Sequence, residues 1–336
     1  MILPMIIRTL DAHTAGEPLR LIVEGFPTVQ GQTMLEKRAW VEEHCDHLRT
    51  ALMLEPRGHA DMYGALLTEP ERPTSDAGVL FMHNQGYSTM CGHGVIAVAT
   101  LAIEQGLIVP RTRDELVLDA PAGQIHASAT VDRSGLEPRV TAVSFRNVPS
   151  FVLAAGLPVR LGARTVRADV AFGGAFYAIV DSEAAGIPIR PERLDDLRRA
   201  GMEIKRAIEE VMTIAHPEEP LLSGIYGTIF TGPAESVDAD LRNVTIFAEA
   251  EVDRSPCGTG TCAVMAVLAA MGLLAPEQTF THESIIGTRF RGRIERELEV
   301  AGIPAILPRL AGEAFMTGRH TFVVHPDDPL GHGFRL

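Results

Sequence analysis

The chain has 336 residues, 46% of them hydrophobic and 22% charged, and a formal charge of −13. That length suits two domains, each able to bury a core, and the balance is that of a globular chain, not a disordered one. The acidic surplus, with no run of Lys and Arg, excludes a nucleic-acid-binding surface and leaves small molecules as partners.

No segment approaches the roughly 18 apolar residues that a membrane-crossing helix needs, so no membrane association is expected. Four cysteines without a secretion leader argue for reduced thiols and a cytoplasmic protein.

In chain order, the apolar Met1-Ile2-Leu3-Pro4-Met5-Ile6-Ile7 is short and broken by proline, and reads as a first strand. Met34, Val41, Cys45, Leu48 and Leu52 recur at helical spacing and predict an outer helix. Val79-Leu80-Phe81 is β-like. Residues 94–104 are rich in Ala, Val, Leu and Ile without a polar stripe, which predicts a helix buried on all sides and stopped at Gly106. Leu116-Val117-Leu118 and 140–145 are strand candidates, and a domain junction is expected near Asn147-Val148-Pro149. Beyond it, Leu194, Leu197, Ile204, Ile208 and Val211 mark a second outer helix. Thr245-Ile246-Phe247 is again β-like, residues 260–271 form a second buried helix stopped at Gly272, and Thr321-Phe322-Val323-Val324 predicts a strand.

The chain repeats itself. A shift of 166 residues lays Cys91 on Cys257, Gly92 on Gly258, Gly94 on Gly260, Ala97 on Ala263, Val98 on Val264, Gly106 on Gly272, Leu107 on Leu273 and Pro110 on Pro276. Each half therefore offers a strand, a loop, Cys-Gly-x-Gly and a buried helix. The implied class is α/β (α+β), with two related domains.

A helix N-terminus presents N–H groups without intrahelical acceptors and the positive end of its dipole, so it stabilises an anion. Cys91 and Cys257 both fall there, and the same field is expected to lower a thiol pKa. Glycine after each cysteine leaves the amides of Gly92, His93, Gly258 and Thr259 open to a carboxylate. Two such halves facing each other would place one thiol on either side of a carbon centre, one removing and the other returning a proton. Asp253, four residues before Cys257, is placed to meet a substrate ammonium, and His93 to meet the carboxylate or tune Cys91. Cys45 and Cys262 read as packing residues, and His13, His44, His47 and His59 as surface or packing residues. No ligand spacing for a metal is present.

Met90-Cys91-Gly92-His93-Gly94 and Asp253-Arg254-Ser255-Pro256-Cys257-Gly258-Thr259-Gly260-Thr261 resemble the paired signature motifs of the proline racemase family. The resemblance extends through 11–18, 173–177 and 327–330. It implies two pseudo-symmetric diaminopimelate-epimerase-like domains, each a mixed sheet around a buried central helix, with the active site in the cleft between them. The expected boundaries are 1–148 and 149–325, with the tail 326–336 joining the first domain. It further implies no cofactor, often a homodimer, Cys91 and Cys257 as the acid/base pair, Gly92, His93, Gly258 and Thr259 on the carboxylate, and Asp253 on the amine.

Within that family, residues 55–64 and 86–90 look most like trans-3-hydroxy-L-proline dehydratases, which typically carry threonine where this chain has Cys257. Inversion needs an acid/base group on both faces. The intact pair therefore favours racemisation or epimerisation of proline or hydroxyproline, with dehydration as the alternative. Two other classes stay open. Gly92-His93-Gly94-Val95-Ile96-Ala97 and its repeat fit G-x-G-x-x-A, the dinucleotide-binding loop. The residues 84–90 before the first copy and the lack of an acid at the required distance after Gly260 weigh against an oxidoreductase. A non-catalytic amino-acid binder would use the same helix termini without the thiols.

Overall fold

A computed structural model describes residues 3–335; Met1 and Ile2 of the expected first strand lie outside the described residues. The chain divides into two compact units, Met1–Ser144 with Glu313–Leu336, and Phe145–Gly312.

The first unit runs β1 (Met5–Thr14), β2 (Glu17–Glu24), α1 (Met34–Met53), β3 (Tyr63–Thr68), β4 (Ala77–His83), β5 (Tyr87–Ser88), α2 (Gly92–Glu104), β6 (Glu115–Ala120) and β7 (Gly123–Asp132). β8 (Arg139–Arg146) crosses the boundary. The second unit continues with β9 (Ser150–Leu161), β10 (Arg164–Phe172), β11 (Phe176–Asp181), the single-turn α3 (Ser182–Ala185), α4 (Leu194–Val211), β12 (Ile225–Gly232), β13 (Leu241–Phe247), β14 (Glu251–Asp253), α5 (Gly258–Ala270), β15 (Phe280–Glu283), β16 (Arg289–Val300) and β17 (Ile303–Gly312). The chain then returns to the first unit as β18 (Ala314–Val324).

In the first unit β1 is antiparallel to β2 and β18, β2 parallel to β3, and β3 antiparallel to β4. β4 pairs antiparallel with β5 and parallel with β6, and β6 antiparallel with β7. The second unit uses the same sequence of senses. β10–β11 is antiparallel, β11–β12 parallel, β12–β13 and β13–β14 antiparallel, β13–β15 parallel and β15–β16 antiparallel. Its pairings close on themselves, because β16 joins β17, β17 joins β9 and β9 joins β10.

The parallel pairs need long crossovers, and helices supply them. α1 links β2 to β3 and α4 links β11 to β12 on the outside, whereas α2 and α5 pass through the middle of their units. α2 packs against β1, β2, β3, β7 and β18, and α5 against β9, β10, β11, β16 and β17. Strands on every side explain why both helices lack a polar stripe: residues 92–102 and 258–267 are buried throughout. Both stop as expected. Gly106 and Gly272 take φ of +62° and +70°, the left-handed conformation in which glycine carries no Cβ penalty.

α1 begins at a capping box, with the Glu36 amide donating to Thr33 Oγ1 at 3.1 Å and the Thr33 amide donating to Glu36 Oε2 at 3.1 Å. Its buried stripe Met34, Val41, Cys45, Leu48 and Leu52 packs on Ile22, Leu66, Leu80 and Met82. On α4 the expected stripe holds except at its end. Val211 is exposed, and Ala200 and Met202 are buried with Leu197, Ile204 and Ile208.

One boundary differs from the expectation. β18 pairs with β1 from Met5↔Val324 to Thr14↔Ala314, so residues 314–324, assigned above to the second domain, fold with the first unit. Strand pairing is non-local, and the composition around residue 312 carries no linker signal.

Candidate active site

Cys91 is the N-cap of α2, in extended backbone at φ −144°, and its Sγ accepts from the Gly94 amide at 3.1 Å. His93 in the first turn folds its ring back so that Nδ1 lies 3.3 Å from the thiol. Both residues are 4% exposed. Thr14 at the end of β1 donates its hydroxyl to the His93 carbonyl at 2.9 Å, which ties the helix start to the first strand. Tyr63 on β3 meets the His93 ring edge-on at 4.7 Å and hydrogen-bonds Ser88 through its hydroxyl. Gly94 is required by space, because a Cβ there would sit 2.5 Å from the Phe81 ring and 2.8 Å from Cys91 Sγ.

The second unit builds the matching position differently. Cys257 precedes α5 with φ +61° and ψ 113°, a region non-glycine residues rarely occupy at a cost of about 1–3 kcal/mol. Hydrogen bonds over-determine that backbone. Asp253 Oδ1 accepts from the Ser255 amide at 2.8 Å and hydroxyl at 2.7 Å, and Ser255 Oγ accepts from the Cys257 amide at 3.1 Å. The Pro256 carbonyl accepts from Asn243 Nδ2 at 2.7 Å and Thr261 Oγ1 at 2.9 Å. Thr259 Oγ1 and the Tyr177 hydroxyl are 2.6 Å apart, and Cys257 Sγ lies 3.8 Å from that phenol oxygen. Gly173 brings the loop before β11 directly against α5: a Cβ would fall 2.2 Å from the Thr259 carbonyl oxygen.

Burial dominates the electrostatics. It pushes the Asp253 carboxyl up to about 6 against the hydrogen bonds from Ser255 that favour the carboxylate. It also pushes the Cys257 thiol up, helped by the charge of Asp253 and opposed by the Gly260 amide and the hydroxyls of Thr245 and Tyr177. This corrects the expectation of a lowered pKa at Cys257. The helix N-terminus is present, but removing water from a thiolate costs more than the dipole returns. Burial thus favours the thiol form of Cys257, a proton donor, over the thiolate.

The site residues thus gather in two places: Cys91, Gly92 and His93 at the start of α2, and Asp253, Cys257, Gly258 and Thr259 around the start of α5. Cys45 on α1 and Cys262 in the second turn of α5 are buried, and burial pushes their thiols up as well. An open cavity of ≈ 580 Å³ in the first unit is lined by Phe26, Val29, Leu66, Leu107 and Val109, and none of the site residues borders it. Among the described residues no three His, Cys, Asp or Glu side chains are grouped to hold a metal ion, and no helix is long and apolar enough to cross a membrane.

The sequence missed Tyr63, Ser88, Tyr177 and Thr245. Each arrives on a strand remote from, or outside, the Cys-Gly-x-Gly motif, so only pairing register reveals it. Ser255 lies inside the second motif with no role assigned to it from sequence; the Asp-x-Ser spacing, which suits a local turn, is the signal that could have found it.

The family model described as proline racemase matches residues 9–335. A trans-3-hydroxy-L-proline dehydratase of Bacillus cereus is 48% identical over 98% of this chain and 98% of its own. A 3-hydroxyproline 2-epimerase of Burkholderia multivorans is 44% identical over 98% of this chain and 97% of its own. The crystal structure of a hydroxyproline epimerase of Agrobacterium vitis with bound trans-4-hydroxy-L-proline matches with a TM-score of 0.89 at 32% identity, covering 99% of this chain and 96% of that one. The fold is α+β and related to the diaminopimelate-epimerase-like superfamily. The chain belongs to the proline racemase family, and is an enzyme of the amino-acid racemase, epimerase or dehydratase type.

Proposed function

We propose that this enzyme inverts the α-carbon of proline or hydroxyproline without a cofactor, Cys91 and Cys257 acting as acid and base on opposite faces of the substrate. The observation that carries the reading is the recurrence of one buried thiol at the start of one buried helix in each unit, inside the same order of strands. On this reading the two units, bounded as the contacts divide them, close on the substrate as pseudo-symmetric halves.

The chemistry follows from the groups present. The α-hydrogen of an amino acid is very weakly acidic, so charge moving into the carboxylate must be stabilised as the proton leaves. First-turn amides at Gly92, His93, Gly258 and Thr259 supply preorganised donors for it. Asp253 holds the ring nitrogen, and an incoming cation beside it offsets the burial that raises its pKa. One thiolate takes the proton while the opposite thiol delivers another, so inversion conserves charge. The protein is proposed to work in the cytoplasm, as a homodimer and with its thiols reduced.

A second reading is favoured by the 48% identity to a protein named as a dehydratase. With trans-3-hydroxy-L-proline the same carbanion can expel the 3-hydroxyl, which takes a proton from the second thiol and leaves as water; the double bond then lies between Cα and C3, and this cyclic enamine tautomerises to the imine as a proton passes from nitrogen to C3. Proton NMR and polarimetry in deuterium oxide with L-proline, trans-4-hydroxy-L-proline and trans-3-hydroxy-L-proline distinguish the two. Loss of the α-hydrogen signal with falling rotation supports inversion, imine formation supports dehydration, and no change with any of the three refutes both.

A further inference from the structure

The two units serve their thiols with different side chains. In the first, the residue two places after the cysteine is His93, whose ring reaches Cys91 Sγ at 3.3 Å. In the second that place is Thr259, whose short side chain leaves its hydroxyl 4.0 Å from Cys257 Sγ. Beside both atoms stands the hydroxyl of Tyr177, which comes from β11 and ends 2.6 Å from Thr259 Oγ1 and 3.8 Å from Cys257 Sγ. β2, which occupies the corresponding place in the first unit's strand order, reads Glu-Pro-Leu-Arg-Leu-Ile-Val-Glu and offers no hydroxyl.

Tyr177 is fully buried and held from the side by Tyr226, edge-on at 5.8 Å, which stacks in turn on Phe247 at 5.4 Å. A phenol hydroxyl so buried is costly unless partnered, and phenylalanine would fill the same space without that cost. The partners found are the thiol and the hydroxyl of Thr259.

We propose that Tyr177 is a positioning residue for the second thiol, doing for Cys257 what His93 does for Cys91. When Cys257 is the base, Thr259 donates to the phenol oxygen and Tyr177 donates to the thiolate. When Cys257 is the acid, its S–H donates to the phenol oxygen and Tyr177 donates to Thr259. The two hydroxyls turn over as the thiol changes state, and no proton leaves the pair. The inference rests on the two-thiol reading of the reaction. Other groups that act on Cys257 are Asp253 on β14, the Thr245 hydroxyl on β13 and Cys262 on α5, with Tyr226 on β12 behind the phenol. All of them stay in place when only the phenol oxygen is removed.

The test is Tyr177→Phe in the full chain, with iodoacetamide alkylation of Cys257 and Cys91 followed across pH by peptide mass spectrometry. Loss of one donor to a thiolate is expected to raise the Cys257 midpoint by about one pH unit while Cys91 stays fixed. Turnover falls about tenfold near neutral pH through kcat rather than KM, and recovers as pH rises. An unmoved Cys257 profile, or equal movement of both thiols, overturns the proposal. If Tyr177→Phe does not fold, 3-fluorotyrosine placed at position 177 is a stronger donor and is expected to lower the Cys257 midpoint; no displacement overturns it. Absence of turnover with every amino acid tried would refute the proposed reaction, while the alkylation profiles still decide the role of Tyr177.

Discussion

Adding one methyl group at Gly94 separates the thiol's position from the stability of the fold. In Gly94→Ala the new Cβ would lie 2.5 Å from the Phe81 ring and 2.8 Å from Cys91 Sγ. Neither contact can persist. Phe81 is buried in β4, so relieving its ring requires the start of α2 to shift, which carries Cys91 with it, and a displacement approaching 1 Å at the thiol can cost about 10²-fold in rate. Stability is pulled both ways. Overpacking costs about 1–3 kcal/mol, and alanine is favoured over glycine inside a helix by about 1 kcal/mol. The net expectation is a destabilisation of roughly 0–2 kcal/mol beside a rate loss equivalent to about 2.7 kcal/mol. Urea unfolding gives the first quantity, and α-hydrogen exchange in deuterium oxide gives the second. A folded variant exchanging at the wild-type rate would refute the claim that Cys91 Sγ must sit where it does.

Three further outcomes follow from the same geometry. Cys91→Ser and Cys257→Ser should each lower inversion by about 10²–10⁴-fold, the usual worth of an acid/base group, while calorimetry still detects carboxylate binding; inversion at full rate by either would contradict the paired mechanism. Arg20 donates to both oxygens of Asp11 and to the carbonyls of Leu52 and Arg57, with its side chain 7% exposed. Arg20→Met therefore takes the guanidinium from a buried carboxylate that keeps the Thr9 hydroxyl at 2.9 Å and His320 at 3.5 Å, and should cost about 3 kcal/mol in urea unfolding, whereas a loss under 1 kcal/mol would show the pair to be solvated. Asp253 has its pKa raised by burial from 3.8 to about 6, so between those values the folded state binds the extra proton and stability falls as pH rises through about 6. Asp253→Asn removes a penalty of up to ~3 kcal/mol at pH 8 but little near pH 4. His282, lowered to about 3 by burial, works in the opposite direction, losing stability as pH falls below the unfolded value of about 6.5. Unfolding curves of wild type and variant at pH 4 and 8 show the difference, and equal shifts at both would argue against a buried carboxyl.

Much of this was legible in the residues. The repeated Cys-Gly-x-Gly placed both thiols at helix starts, and the absence of a polar stripe predicted helices surrounded by structure. Period and stop glycines do this because they are local. What the sequence could not carry was non-local. β18 belongs with β1 by pairing register alone, and Tyr177 reaches Thr259 across a sheet from a position 82 residues away. The raised pKa at Cys257 was missed for a related reason. The helix terminus that stabilises a thiolate is visible in the sequence, whereas the burial that outweighs it appears only once the strands are assembled.

The most direct test of the central claim follows where deuterium goes when a single stereoisomer is turned over to low conversion in deuterium oxide. Two thiols on opposite faces predict that the inverted product carries solvent deuterium at Cα while the recovered substrate keeps its hydrogen. Deuterium appearing equally in recovered substrate and product would mean that one group serves both faces, and the pairing of Cys91 with Cys257 would be wrong.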